Sequence, residues 1–145
     1  MGVTQAQEQA LAENESMFEL WEFMTPEERA NIDSLIWSPE KAIKRYKHDA
    51  VAFAREVLHM TLAPYQEKVL RLLVETHRVC FRSFHGSGKT TVAAAAILWF
   101  IGVWEECKIP TTASAWRQLK DFLWPEIHKW AIKADWWRVG IRVRP

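Results

Sequence analysis

The 145-residue sequence is 49% hydrophobic and 26% charged with only two cysteines, which argues against a disordered chain and a disulfide-built scaffold and leaves one domain of ordinary size. Its longest apolar run, Val92 to Trp104, is 13 residues with Gly102 inside it, short of the roughly 20 that span a bilayer. The formal charge of +1 conceals a division: residues 1 to 36 carry eight acids against Arg29 alone, whereas residues 37 to 145 carry eighteen bases against ten acids, a pattern compatible with a polyanion partner for the second part and equally with solvated helix faces.

The N-terminus is acidic and lacks the basic-then-apolar layout of a signal peptide. "TPEE" at 25 to 28 reads as a capping box with Pro26 at the first helical position, opening a helix to about Trp37. "SPEK" at 38 to 41 repeats the start signal, and Asp49 is placed to cap a helix carrying Val51, Ala54, Val57 and Leu58 on one face. Pro64 then opens a helix through about Thr76 whose apolar side is Val69, Leu70, Leu72 and Leu73.

The period changes at Arg78. "RVCFRSF", 78 to 84, is short, aromatic and β-branched, and is predicted to be a buried strand containing Cys80. A small polar loop follows, then a helix from Thr91 to about Ile101 that is apolar nearly all round. "IPTTAS" at 109 to 114 reads as a second strand, Trp116 to about Ala134 as an amphipathic helix interrupted at Pro125, and "RVGIRVR" at 138 to 144 as a solvent-facing strand. Strand, loop, helix, strand, helix predicts an α/β fold with a parallel sheet and flanking helices.

The loop at the first strand-to-helix junction, "SFHGSGKT", carries the chemistry. A bound phosphate needs several N–H donors converging without side chains in the way, and Gly86 and Gly88 allow left-handed backbone angles and remove the blocking Cβ atoms. The helix beginning near Lys89 adds unpaired N–H groups and the positive end of its dipole. Lys89 supplies a full charge for the outer phosphates, and the Thr90 hydroxyl is placed to ligate Mg²⁺. A tight turn with an exposed lysine is the plainer alternative. The first position of the usual G-x-x-x-x-G-K-[ST] pattern is Ser83.

"RSFHGSGKTTVAAAAILWF", with "APYQEKVL" upstream and "TTASAWRQLKDFLWPEI" downstream, resembles the N-terminal part of the ATPase domain of tailed-phage terminase large subunits, the motors that pump DNA into procapsids. The resemblance covers about residues 49 to 130. It implies an incomplete P-loop NTPase domain of the RecA-like kind over 49 to 145, preceded by a helical segment over 1 to 48, with ATP and Mg²⁺ as cofactors. Ser83, Phe84, His85, Gly86, Ser87, Gly88, Lys89, Thr90 and Thr91 would line the phosphates. Gln66 resembles the glutamine that contacts adenine, and Arg82 an arginine that senses the γ-phosphate. Thr112, Ser114 and Gln118 match a DNA-facing or coupling loop, with Ser114 standing where the family has proline. Double-stranded DNA, a portal protein, a small terminase subunit and further copies of the chain are the implied partners, and the host cytoplasm the implied setting.

Hydrolysis also needs a second carboxylate, normally an acid ending a hydrophobic strand, to hold Mg²⁺ and orient water. Asp121 follows "RQLK", Asp135 follows "AIKA", and Glu105 and Glu106 end a helix. No acidic set for a two-metal nuclease is present either. The expectation is therefore a partial motor domain that binds ATP weakly and turns it over negligibly. A helicase-like ATPase fragment and a non-catalytic interaction module, its nine tryptophans docking on a partner, remain as alternatives.

Overall fold

The computed structural model describes residues 19, 23–27 and 39–141. Within residues 39–141 six α-helices follow one another: α1 (Pro39–His48), α2 (Ala50–Glu56), α3 (Pro64–Thr76), α4 (Lys89–Val103), a single turn α5 (Trp116–Gln118) and α6 (Trp124–Lys133). The capping box at 25 to 28 and its helix to Trp37 fall largely outside the described residues.

Local signals account for the helix boundaries. Asp49 caps α2, its Oδ1 accepting the Ala52 N–H at 2.9 Å. Pro64 stands at the first position of α3, where its missing N–H costs nothing, and His77 ends the helix in the left-handed region at φ 59°. Gly88, at φ 76°, is the N-cap residue of α4.

The apolar helix α4 is the centre of the core and packs against α1, α2, α3 and α6. Val92, Ala94, Ala95, Leu98, Trp99, Gly102 and Val103 are buried along it. Small residues let neighbours approach closely: a Cβ added at Gly102 would lie 2.6 Å from the ring of Phe53 in α2. Phe53 is fully buried, edge-on to Tyr46 with centroids 5.6 Å apart. The Trp99 indole donates to the Tyr46 carbonyl at 2.7 Å, so the buried ring gains area without stranding its N–H. Tyr46 in turn donates from its hydroxyl to Glu56 at 2.9 Å, and Arg45 donates to the same carboxylate at 2.8 Å.

Among the described residues there is no β-strand, and the predicted parallel sheet is not formed. Part of the strand signal is nonetheless visible. Val79, Phe81 and Ser83 are half-buried and alternate with exposed Cys80, Arg82 and Phe84. A strand, however, exists only through a ladder with a neighbour. Residues 78–84 and 109–113 find no such neighbour, and Pro110 has no N–H to give one. Cys80, expected in a buried strand, is accordingly exposed.

The last expected strand is also replaced. Trp136–Val139 form a 3₁₀ turn closed by Gly140 at φ 69°, and residues 142–145 lie outside the described part. Burial of Trp136 decides this: its ring meets Phe53 at 6.4 Å and its indole N–H donates to the Ala131 carbonyl at 2.6 Å. Gly140 lies against Pro39, close enough that an added Cβ would meet the proline Cβ at 3.3 Å.

The interruption expected at Pro125 takes a particular form. Leu119–Leu123 is a π-helical turn in which the Trp124 N–H reaches back five residues to the Leu119 carbonyl. Widening the turn ahead of Pro125 lets the chain absorb a residue without an N–H, and α6 continues with Pro125 in its first turn.

Candidate phosphate-binding loop

Residues 83 to 91 connect the extended segment to α4. Gly86 and Gly88 both sit in the left-handed region, at φ 81° and 76°, angles that cost a side-chain-bearing residue roughly 1 to 2 kcal/mol. Beside Gly86 the space is open, with nothing within 4 Å of an added Cβ. At Gly88 an added Cβ would overlap the Gln66 amide nitrogen.

The loop closes on its own lysine. Lys89 Nζ donates to the Phe84 carbonyl at 2.6 Å and the Ser83 carbonyl at 3.1 Å, with the Ser83 and Ser87 hydroxyls at 3.4 and 3.5 Å. Ser83 and Ser87 also share a hydrogen bond through their hydroxyls. Serine at the first loop position thus has a local function, since its carbonyl and hydroxyl both face the ammonium group. No side chain caps α4. Its first backbone bond runs from the Val92 N–H to the Gly88 carbonyl at 3.0 Å, which leaves the amides of Lys89, Thr90 and Thr91 as the uncompensated donors of a helix start.

Two struts hold the loop from α3. Ser87, only 3% exposed, offers a carbonyl that accepts from the Tyr65 hydroxyl at 2.9 Å and the Gln66 amide at 3.3 Å. The other end of Gln66 is occupied too, its Oε1 accepting the Ala63 N–H at 2.9 Å. At 8% exposure both polar ends need partners, and both have them. Gln66 therefore stands against the loop with both ends of its amide engaged, and contacting adenine would require it to exchange one of these bonds.

A third strut comes from α6. The Thr91 hydroxyl donates to Glu126 Oε1 at 2.9 Å, and the Trp130 indole donates to the same oxygen at 2.8 Å. Lys129 Nζ stands 3.7 Å from Oε2. Partial burial alone would push the Glu126 carboxyl up, but the bonds from Trp130 and Thr91, with Lys129 nearby, outweigh it and hold the group below the usual carboxylate range. Sequence reasoning placed Glu126 within a motif without giving it a contact. The available signal was its spacing of four from Trp130; the pairing with Thr91 joins residues 35 apart.

The remaining candidates are dispersed. Arg82, Phe84 and His85 are exposed around the loop, Phe84 to 73%. Thr112, Ser114 and Gln118 are exposed, and Ser114 donates to Gln118 at 3.3 Å, within its own segment and not to the loop. Among the described residues no three His, Cys, Asp or Glu side chains gather as a metal site. No helix among these residues is long and apolar enough to cross a membrane. No protein-family model matches the chain, and comparison with curated proteins and with solved structures gives no match.

Proposed function

We propose that residues 83 to 91 bind the phosphates of a nucleoside triphosphate, ATP with Mg²⁺, and that the chain is the ATP-binding segment of a phage terminase large subunit that packages double-stranded DNA. The observation that carries this reading is the placing of Lys89: its ammonium closes the loop on the Phe84 and Ser83 carbonyls, in a loop with two left-handed glycines that leads into the start of α4, which no side chain caps. Those are the parts an anion uses, namely converging amides, a helix dipole and one full charge.

On this reading Lys89 leaves the Phe84 and Ser83 carbonyls for the outer phosphates, and amides from Gly86 to Thr91 take the inner ones. The open space beside Gly86 admits the phosphate chain. Thr90 lends its hydroxyl to Mg²⁺, which neutralises phosphate charge when bound. Binding rather than turnover is assigned to these residues, because neither Asp121 after "RQLK" nor Asp135 after "AIKA" matches the acid that ends a hydrophobic strand in a hydrolysing site. Double-stranded DNA, the portal and the small terminase subunit, further copies of the chain, and a host-cytoplasm setting belong to the same proposal; they rest on the resemblance of residues 49 to 130.

Calorimetric titration of the full chain with ATP and Mg²⁺ tests it. Saturable binding below millimolar nucleotide, weakened at least about tenfold in Lys89→Ala by loss of a charge-assisted hydrogen bond, is the expected result. No saturation at millimolar nucleotide would remove the reading. A second reading would then stand, favoured by a separate observation: Trp116, Phe122 and Trp124 are 70%, 63% and 51% exposed on one stretch of chain, the profile of a non-catalytic interaction module.

A further inference from the structure

Helix α4 starts without a side-chain cap, and its first turn is steered by a residue from elsewhere. Thr91 is the third residue of that turn, counting from the N-cap at Gly88. Its hydroxyl is turned to Glu126 Oε1 at 2.9 Å. The same oxygen receives the Trp130 indole at 2.8 Å. Trp130 packs against the core and is flanked by the ammonium groups of Lys129 and Lys133, 4.9 and 5.6 Å from its ring centroid. Oε1 is therefore fixed from the α6 side before it meets Thr91. The opposite side of the loop is fixed through Ser87 by Tyr65 and Gln66. Gly88 and Lys89 lie between these two anchors, and Gly86 directly precedes the first.

We infer that Glu126 is a positioning residue of the phosphate loop, orienting the first turn of α4 through Thr91 and carrying the state of the loop to Trp130; this rests on the phosphate-binding reading above. The carboxylate has two opposed effects on a bound anion. As an acceptor it holds the Thr91 turn in place, which favours binding. As a negative charge near the helix start it opposes an incoming phosphate. Positioning depends on the acceptor oxygen, which glutamine keeps and alanine removes. Repulsion depends on the charge, which both substitutions remove.

The test is titration of full-length Glu126→Gln, Glu126→Ala, Thr91→Val and the Glu126→Ala/Thr91→Val double variant with ATP and Mg²⁺, alongside wild type and Lys89→Ala. Loss of the Thr91–Glu126 hydrogen bond is expected to weaken binding about tenfold in Thr91→Val, and by less in Glu126→Ala, which also removes the repelling charge. The double variant should be no weaker than Thr91→Val, because the two substitutions share the Thr91–Glu126 bond. Glu126→Gln should bind at least as tightly as wild type. In ¹⁹F-tryptophan spectra, with the Trp130 signal assigned from Trp130→Phe, nucleotide should shift that signal in wild type and not in Thr91→Val, a response that a purely structural contact would not give.

Equal affinities of the alanine and glutamine variants, additive losses in the double variant, or a Trp130 signal indifferent to nucleotide would each overturn the inference while wild-type binding stood. If Glu126→Ala fails to fold, Thr91→Val and Glu126→Gln decide the matter. Absence of wild-type binding would instead overturn the phosphate-binding reading, and this inference with it.

Discussion

Gly86 and Gly88 share a backbone conformation but differ in surroundings, and that difference fixes what each substitution does. Both sit near φ +80°, so Gly86→Ala should lose about 1 to 2 kcal/mol from strain alone. Gly88→Ala adds an overlap with the Gln66 amide. To relieve it, Gln66 must withdraw from the Ser87 carbonyl, leaving a buried polar group without its partner. Urea unfolding should therefore show a lower midpoint for Gly88→Ala than for Gly86→Ala, and the loop glycine with the smaller stability effect should be the one facing open space. The G-x-G-K-T spacing announced both glycines in the sequence. That one of them is wedged by a side chain 22 residues earlier was not legible, because nothing local encodes it.

At the level of elements, what could be read from sequence was what neighbours in sequence decide. Asp49, Pro64 and the polar loop before Lys89 marked three helix starts, and the apolar run predicted a helix buried on several sides. The helix α4 begins at Lys89, two residues earlier than its apolar pattern suggested, because Gly88 supplies the cap conformation. The strands failed for the complementary reason. Residues 78–84 keep an alternation of half-buried and exposed side chains, yet pairing partners are a property of distant sequence. Glu126 likewise stood within a motif but without a contact until folding set it against Thr91. Close approach of α2 and α4 gives this scale its own prediction. Gly102→Ala would place a methyl 2.6 Å from the buried Phe53 ring, and overpacking of this kind costs about 1 to 3 kcal/mol. Thermal unfolding should show the loss despite the higher helix propensity of alanine, and Phe53→Leu in the same chain should recover part of it.

The molecule as a whole carries a pH window set by α1 and α2. Partial burial would raise the Glu56 carboxyl, but the hydrogen bonds from Arg45 and Tyr46 outweigh it and keep it below its ordinary value. Tyr46 moves the other way, pushed up to about 12 by burial and by its hydrogen bond to Glu56. A carboxyl depressed in the folded state stabilises above its unfolded pKa and loses that contribution as pH falls through the folded one; Glu126 adds to this limb. A phenol raised in the folded state stabilises fully below 10.0 and loses its contribution as pH rises through about 12. Urea midpoints measured from pH 3 to 11 should be flat between about 5 and 9 and decline on both sides. In Tyr46→Phe the alkaline decline should be shallower.

Contact between Pro39 and Gly140 means that the path into this helical body and the path out of it share a doorway. Residues 39 and 140, near the two ends of the helical body, therefore stand side by side. A bridge of a few residues across that doorway, with new ends cut in the exposed turn at Glu105 and Glu106, would give a rearranged chain with the same interior.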